Sequence, residues 1–350
     1  MKNKKILIIG CQGYLGSALT DYLISKGYEC YGIDIGFFKN CNFYKNKKFK
    51  IKKKSASKIN KKDLELFDIV IHLAAFSNDP YGGLKENEFY KPTTKYTLKI
   101  AKICKKLNIK FIFPSSCSVY GYGKKIFTEK SKVNPLTFYS KNKIEIEKAL
   151  LKIADNNFRP IILRLATVYG ISPRIRFDVV VNMLCGMGIA MNKITLNSNG
   201  LAWRPHLDIY DVCRIFEKFI NFKIKSNSNL IYNIGDDKNN LRIVDIVKII
   251  KKYLPNVSVD FLNSDISKKK NLLAADKKIQ DGIDRRSYRV SFKLIHNLFK
   301  NFKFKKIDKG IQDLLINLKK KKLSKKTFLN INFYRLQKLE KINNTKKIFI

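Results

Sequence analysis

A glycine-rich loop between a short apolar strand and an amphipathic helix constrains the fold of this chain more than any other feature. The apolar run KILII at residues 5–9 is followed by GCQGYLG, in which Gly10, Gly13 and Gly16 have the spacing G-x-x-G-x-x-G. The first glycine permits a tight turn, the second lets backbone amides approach a diphosphate, and the third lets the helix pack on the strand. Leucines then recur at helical spacing until Gly27 ends the helix. The loop predicts a strand, turn and helix that bind a nucleotide.

An acidic residue closes the second predicted strand, ECYGID. Asp34 lies 18 residues after Gly16, where a carboxylate accepts hydrogen bonds from the adenosine ribose and repels a 2′-phosphate. We therefore predict NAD as the cofactor rather than NADP, although nearby Lys39 leaves NADP open. Tyr14 and Leu15 begin the helix and are predicted to contact the same cofactor.

Strands and helices alternate over the first 170 residues. The runs DIVIHLAA, IKFIFPSS and RPIILRLATVYG are near-continuous apolar strands, and the intervening segments TTKYTLKIAKICKKLN and YSKNKIEIEKALLKIA have helical spacing. This pattern is typical of a buried parallel sheet. We predict an α/β fold in which a doubly wound parallel (Rossmann) sheet forms a cofactor-binding domain. The predicted limits are 1–170 for that domain, with returns near 203–235, then 171–318 for a smaller C-terminal α/β substrate lobe and 319–350 for a solvated basic tail.

Composition narrows the classes of function. The formal net charge is +43, which suits an anionic partner. The lysines are spread along the chain without an RNA-binding motif, so we interpret the charge as compositional drift that attracts anions generally, and we expect no specific nucleic acid. The seven cysteines form no Cys-x-x-Cys motif, which favours a reduced cytoplasmic protein without a bound metal. No apolar run reaches the length of a membrane span.

A hydroxyl-rich stretch without charge, FIFPSSCSVYG at residues 111–121, precedes a tyrosine and a lysine at the start of a helix. Tyr139 and Lys143 are four residues apart and share one helix face. An ammonium near a phenol favours the phenolate and lowers its pKa, which makes Tyr139 a plausible general base. In so lysine-rich a chain this pair alone is weak, since the spacing is common by chance.

Together these motifs resemble the extended branch of the short-chain dehydrogenase/reductase superfamily, the NAD-dependent epimerase/dehydratase family that includes UDP-glucose 4-epimerase-like enzymes. In that family Ser/Thr-x-x-Val-Tyr-Gly ends a strand ahead of Tyr-x-x-x-Lys. The resemblance implies that Ser116, Tyr139 and Lys143 are catalytic, and that Tyr139 and Lys143 also contact NAD. It covers residues from about 5 to about 300.

The same resemblance implies further site residues. HLAA places Leu73, Ala74 and Ala75 along the cofactor, with His72 structural. RLATVYG is similar to R-x-x-N-V-Y-G, with Thr167 in place of the asparagine, and WRPHLDIYDV is similar to R-D-x-x-H-V-x-D, with His206 and Asp211 structural. The substrate contacts that it implies are Ser116, Ser118, Thr167, Asn182 and the diphosphate-binding Arg204, while Arg285 or Arg286 is as well explained by surface charge. Two departures are Thr93, where the family often has Asn, and KSASKI, which lacks the aspartate usual near the adenine.

The implied reaction is oxidation of a sugar hydroxyl and its return with inverted configuration, which is 4-epimerisation of a nucleotide sugar for surface polysaccharides. A 4,6-dehydratase is less expected because Cys117 and Ser118 stand where those relatives have an Asp-Glu pair. A 4-keto-sugar reductase, or a 3,5-epimerase that uses Cys117 as acid and base, stays open. So do an NAD-binding scaffold and a nucleic-acid binder. Relatives are often dimers through the helices near 90–110 and 140–155, so we expect a homodimer.

Overall fold

Strands and helices alternate through the parts of the chain that the computed structural model describes, residues 4–77, 86–261 and 286–346. The strands are β1 (Lys5–Ile9), β2 (Glu29–Asp34), β3 (Lys50–Lys53), β4 (Ile69–His72), β5 (Lys110–Ser116), β6 (Tyr122–Phe127), β7 (Ile161–Leu165), β8 (Thr167–Tyr169), β9 (Lys193–Leu196), β10 (Trp203–Asp208), β11 (Ile231–Ile234), β12 (Asn240–Arg242), β13 (Ser258–Phe261) and β14 (Ser287–Val290). The helices are α1 (Tyr14–Ser25), α2 (Glu86–Lys106), α3 (Phe138–Ile153), α4 (Val180–Met191), α5 (Ile209–Asn221), α6 (Ile243–Tyr253), α7 (Lys293–Leu298), α8 (Ile307–Lys320), α9 (Lys325–Phe328) and α10 (Arg335–Lys346).

Seven strands form one sheet in the order β11-β7-β5-β4-β1-β2-β3, and every neighbouring pair is parallel. The chain runs outward from β1 to β3 and then resumes on the other side of β1 with β4, so the order reverses between these two strands. Ligands of open α/β sheets bind at the carboxyl ends of the strands at such a point. The glycine loop follows β1, while Asp34 and Ser116 end β2 and β5. The predicted doubly wound parallel sheet is confirmed.

The strands near the centre are apolar on both faces because helices cover both sides. Ile6 and Ile8 of β1 pack in one core with residues of α1 and α5, while Leu7 and Ile9 pack in another with residues of α2 and α3. Successive side chains of a strand point to opposite faces. The sequence of a strand buried on both faces is therefore a continuous apolar run.

A second group of elements surrounds a separate core. Residues of α4, α6 and α8 form one apolar cluster together with Ile194 of β9. Small sheets complete the fold, in the orders β12-β10-β8, β13-β9 and β14-β6, and the last of these packs on the core of α1 and α5. β8 directly follows β7 of the large sheet and pairs with β10, so this pair begins at the carboxyl end of β7. The domain limits at 170 and 318 stay a prediction.

The C-terminal segment differs from the solvated tail that we expected. Phe328, Phe333 and Tyr334 are buried, and the ring of Phe328 lies 5.0 Å from that of Phe177. The Phe177 backbone N–H donates to the Phe333 carbonyl at 3.0 Å. The expectation was wrong for this segment because its aromatic residues complete the second core, while its many lysines conceal that pattern in the sequence.

Candidate active site

A cleft of about 1020 Å³ runs along the carboxyl ends of the large sheet and continues to the second core. Nearly all of the predicted site residues that the structure describes line this one cleft. They are Gly10, Gly13, Tyr14, Leu15, Gly16, Asp34, Leu73, Ala74, Ala75, Ser116, Ser118, Tyr139, Lys143, Thr167, Arg204 and Arg286. Arg285 lies outside the described residues. The lining includes seven cationic side chains and the two carboxylates Asp34 and Asp178, a balance suited to phosphates.

The glycine loop fits closely between β1 and the segment after β4. Gly10 has φ +90°, and a side chain there would begin 2.6 Å from the backbone nitrogen of Ala74. A side chain at Gly16 would begin 2.2 Å from the Gly10 carbonyl oxygen. The loop is therefore compact enough for a diphosphate to approach the first amides of α1.

Asp34 marks one end of the cleft. Its carboxylate accepts hydrogen bonds from the backbone N–H groups of Gln12 at 3.0 Å and Gly36 at 2.8 Å. Burial raises its pKa, and these donors and the charge of Arg335 oppose that shift. The carboxylate is thus fixed by the glycine loop beside the cleft, where it can accept hydrogen bonds from a ribose. Lys39 is exposed and does not line the cleft, so it offers no contact to a 2′-phosphate there.

The serine patch turns away from β5 in a short helix over Cys117–Tyr120. The Ser116 hydroxyl oxygen accepts a hydrogen bond from the backbone N–H of Ser118 at 3.1 Å. The Ser118 hydroxyl is buried, and it has no hydrogen-bond partner within the described parts of the chain. Because both residues line the cleft, their hydroxyl protons are available to an oxygen of a bound ligand.

Tyr139 and Lys143 lie in the first turns of α3. Thr137 caps this helix in a reciprocal pair with Ser140, which fixes where α3 begins. The Lys143 ammonium nitrogen is 5.6 Å from the ring centre of Tyr139. It donates to the Pro114 carbonyl at 2.8 Å, which ties α3 to the end of β5. The predicted trio of Ser116, Tyr139 and Lys143 therefore faces a single cleft.

The ammonium of Lys143 is strongly desolvated. Burial lowers the pKa of Lys143 to about 7, the carboxylate of Glu147 opposes that shift, and the charge of Arg335 adds to it. The nitrogen also lies 4.4 Å from the ring centre of Phe113. The charge of Lys143 near neutral pH thus depends on its surroundings, including any anion in the cleft.

A buried ionic network supports the serine patch from behind. Arg164 of β7 makes a two-pronged contact with Glu147 of α3, with Nη2 2.6 Å and Nε 3.1 Å from the carboxylate oxygens. Ser115 donates to the same carboxylate, and Arg164 also donates to the Tyr120 hydroxyl at 3.0 Å. Neighbouring charged groups fixed in this way set the orientation of α3 against β5.

Cys117 is turned away from the cleft. Its thiol is buried in the core, lies 3.2 Å from the Arg164 carbonyl oxygen, and has its pKa raised by burial. A thiol in this position cannot reach a ligand, so the structure does not favour the alternative in which Cys117 is an acid and base. His72 is likewise buried, with Nε2 3.0 Å from the Thr97 hydroxyl, and burial lowers its pKa to about 3. The histidine is neutral and suits the structural role that we predicted.

Arg204 of β10 and Thr167 of β8 also line the cleft. Arg204 donates to the Trp203 carbonyl at 2.9 Å, and its guanidinium carbon lies 5.3 Å from the ring centre of Tyr288. His206 is buried, and the Asp211 carboxylate accepts hydrogen bonds from the Lys305 backbone N–H and from Arg214. These contacts agree with a site role for Arg204 and structural roles for the other two.

The predicted substrate contact by Asn182 does not fit its position. Asn182 is fully buried and does not line the cleft. Its side chain accepts from the Gly170 N–H at 2.8 Å and donates to the Arg176 carbonyl at 2.9 Å. It therefore holds the turn between β8 and α4. Other residues of α4 do line the cleft, but the sequence does not show that Asn182 lies on a different face of that helix.

The cleft residues absent from our prediction include three charged ones that are linked through Asp178. Arg176 forms an ion pair with Asp178, with Nε 2.8 Å from the carboxylate, and Arg335 enters from the start of α10. The motif R-x-R-x-D at residues 174–178 was a readable signal for the first two. Arg335 had none, because its place depends on how the C-terminal segment packs.

Neither a metal site nor a membrane span emerges from the described ranges. Residues 4–77, 86–261 and 286–346 contain no group of three or more His, Cys, Asp or Glu side chains arranged to hold a metal ion. Among the helices of these ranges, none combines the length and the apolar character needed to cross a membrane.

Known proteins with similar sequences include nucleotide-sugar enzymes. The bifunctional polymyxin resistance protein ArnA of Wigglesworthia glossinidia brevipalpis is 26% identical over 342 residues, covering 85% of this chain and 51% of ArnA. The chain thus spans about half the length of that protein. The UDP-glucose 4-epimerase of Lactobacillus helveticus is 25% identical over 268 residues, covering 70% of this chain and 81% of the epimerase.

Solved structures share the fold. The NDP-hexosamine 5,6-dehydratase TunA of tunicamycin biosynthesis has a TM-score of 0.76 at 20% identity, covering 91% of this chain and 98% of TunA. The UDP-glucuronic acid 4-epimerase from Bacillus cereus, solved with UDP-glucuronic acid and NAD, has a TM-score of 0.73 at 23% identity, covering 90% of this chain and 99% of that one.

The cleft fits NAD on features of this chain alone. The glycine loop leaves room for a diphosphate, the fixed Asp34 carboxylate suits the adenosine ribose, and Lys143 with Tyr139 stands at the other end. The family model that matches residues 6–235 describes enzymes that use this cofactor. The cofactor is therefore NAD, and the chain belongs to the NAD dependent epimerase/dehydratase family.

Proposed function

We propose that the chain epimerises a nucleotide sugar at C4 through a transient 4-keto sugar. The observation that carries the proposal is that Ser116, Tyr139 and Lys143 face one cleft beside the NAD site, next to the unpartnered Ser118 hydroxyl. The relatives that are 4-epimerases of UDP sugars support the same reaction. The coarser activity, that of an NAD-dependent sugar-nucleotide epimerase or dehydratase, follows from the family itself.

The residues divide the proton chemistry between them. When bound, NAD supplies the reversible oxidation of the sugar carbon. Tyr139 takes the proton of the C4 hydroxyl, and Lys143 in its protonated form favours the phenolate that does so. The Ser116 hydroxyl donates to the same oxygen as it becomes a carbonyl. After the sugar has turned so that C4 presents its opposite face, Tyr139 returns the proton to the C4 oxygen.

Dehydration is disfavoured because the carboxyl groups of the cleft are engaged with other groups of the protein. Eliminating water needs an acid beside the departing hydroxyl. Among the described residues that line the cleft, the carboxylates are Asp34, which is bound to the glycine loop, and Asp178, which is paired with Arg176. The positions after Ser116 hold a buried thiol and the Ser118 hydroxyl. A 3,5-epimerase that uses Cys117 would need that thiol in the cleft. A keto-sugar reductase using NADPH is disfavoured by Asp34.

The substrate is proposed to be a nucleoside diphosphate hexose. Arg204 and Arg286 line the cleft, and guanidinium groups bind diphosphates well. Uridine is the first nucleotide to test, because two of the relatives named above are epimerases of UDP sugars. We also propose a cytoplasmic homodimer, formed through the outer faces of α2 and α3, that supplies precursors for surface polysaccharides.

Replacing the tyrosine tests the proposal. We expect the protein to convert at least one of a panel of UDP-, GDP-, CDP- and dTDP-hexoses to its 4-epimer, detected by NMR. Tyr139→Phe should lower turnover by at least about 10²-fold because it removes the proton acceptor, and NAD binding should change little. Tyr122→Phe, at an exposed tyrosine outside the cleft, is the control. Retained turnover in Tyr139→Phe would remove that residue from its role.

A further inference from the structure

The C-terminal segment reaches the cofactor site from outside the region that the family model covers. The model ends at residue 235, whereas Arg335 and Leu339 of α10 line the cleft. Leu339 packs with Phe38 and Cys41, which follow Asp34 in the chain. Leu336 packs in the cluster that contains Tyr139. The first turns of α10 therefore bridge the two ends of the NAD site.

Arg335 lies at the middle of this bridge. Its Nη2 donates to the Ala75 carbonyl at 2.6 Å, and Ala74 is the residue against which Gly10 packs. Its positive charge acts on the pKa of Asp34 at one end of the cleft and of Lys143 at the other. The diphosphate of NAD joins the two halves of the cofactor that occupy these ends.

The surroundings of Arg335 hold more positive than negative charge. Burial, with the charges of Arg176 and Arg174, lowers the pKa of Arg335 to about 9, and Asp178 opposes this shift. Arg174 is fully buried, and the described residues offer no hydrogen-bond partner to any of its three side-chain nitrogens. The buried Nε of Arg335 likewise has no hydrogen-bond partner among the described residues. Buried guanidinium groups of like charge are costly unless an anion compensates them.

The segment is held firmly enough to aim this side chain. The Arg335 backbone N–H donates to the Asp178 carboxylate at 3.0 Å, and that carboxylate is paired with Arg176. The ring of Phe328 fills the space that a side chain at Gly186 would need. An arginine held by its own backbone is preorganised for an anion.

We propose that the first turns of α10, residues 335–339, form part of the NAD site and that the Arg335 guanidinium binds the cofactor diphosphate. Arg204, by contrast, belongs to β10 and lies against Tyr288, so it remains the candidate for the diphosphate of the substrate. The inference concerns the NAD site and does not depend on the reaction proposed above.

Binding of cofactor fragments to the full chain tests the proposal. The cofactor probes are NAD, ADP-ribose, which carries the diphosphate, and adenosine, which does not. UDP probes the substrate site, and each ligand is measured by titration calorimetry. Arg335→Gln should weaken NAD and ADP-ribose by about 10- to 100-fold, as expected for loss of a charge-assisted contact, and should leave adenosine within about twofold. Lys338→Gln is the control, because that lysine lies one turn along α10, binds Asn332 and does not line the cleft.

Other outcomes would overturn the proposal. These are unchanged ADP-ribose binding in Arg335→Gln, an equal loss of adenosine binding, or weaker binding of UDP with no change for NAD. Arg335→Lys keeps the charge but not the planar fork, and should weaken ADP-ribose about threefold to tenfold with adenosine unchanged. If Arg335→Gln does not fold, this second variant decides alone, and unchanged ADP-ribose binding in it refutes the assignment. All readouts are binding equilibria, so failure of the epimerase proposal would not affect them.

Discussion

Replacing Lys143 with methionine should raise the free energy of unfolding, and this gain should decrease as pH rises. Burial lowers the pKa of Lys143 from 10.5 to about 7, so the folded state disfavours its charged form. Below pH 7 both the folded and the unfolded chains carry the proton, and the folded chain bears the whole penalty. Between pH 7 and 10.5 the unfolded chain binds more protons, so stability rises with pH and the penalty disappears. Methionine has a similar length and no charge.

The size of the effect follows from the shift. Each pKa unit corresponds to about 1.4 kcal/mol, so the full penalty is roughly 5 kcal/mol below pH 7 and roughly 1.4 kcal/mol at pH 9.5. The lost hydrogen bond to the Pro114 carbonyl offsets part of the gain by an amount that varies less with pH. The stability of Lys143→Met relative to the natural protein should therefore fall by about 3 kcal/mol between pH 6 and pH 9.5.

Urea unfolding of the protein without ligands, followed by circular dichroism at several pH values, measures this difference. Subtracting the unfolding free energies of the two proteins at each pH cancels the contributions of the other titrating groups. Lys148→Met removes an exposed lysine from the same helix and should follow the pH profile of the natural protein. A stability difference for Lys143→Met that does not change with pH would refute the desolvation of this ammonium.

Two further variants test other parts of the account. Glu147→Leu should lower the free energy of unfolding by about 3–5 kcal/mol because it leaves the buried Arg164 unpaired. Adding Arg164→Leu should recover much of the loss. A Glu147→Leu variant as stable as the natural protein in urea would contradict this. Asp34→Ser should weaken NAD roughly tenfold and narrow its advantage over NADP in calorimetric titrations, since it removes the ribose acceptor. An unchanged ratio of the two affinities would show that Asp34 does not select the cofactor.

Much of the fold was predictable because the strands near the centre of the sheet are buried on both faces. β1, β4, β5 and β7 are continuous apolar runs, and the helices between them have clear spacing. β3 was not predicted, because its sequence KIKK is exposed at every residue. Lysine-rich edge strands protect a sheet from further pairing and carry no apolar pattern. β6 also lacks one, since its residues are exposed or half-buried.

The candidate site was predictable where local spacing fixes geometry. The glycine loop, Asp34 and the pair Tyr139 and Lys143 each belong to one strand end or one helix turn. Asn182 was placed wrongly because the sequence does not show which face of α4 meets the cleft. Arg335 was missed because its position results from aromatic packing of the C-terminal segment. The low pKa of Lys143 depends on burial by Phe113 and neighbouring elements, which spacing alone does not convey.

The most direct test of the account is the conversion of a nucleotide hexose in D₂O, with the product examined by mass spectrometry and NMR. We expect a 4-epimer of unchanged mass with no deuterium bound to carbon, because the hydrogen removed from C4 returns to C4 without exchange with solvent. A product lighter by one water would show a dehydratase, and carbon-bound deuterium at C3 or C5 would show epimerisation through an enol. Either result would contradict the account.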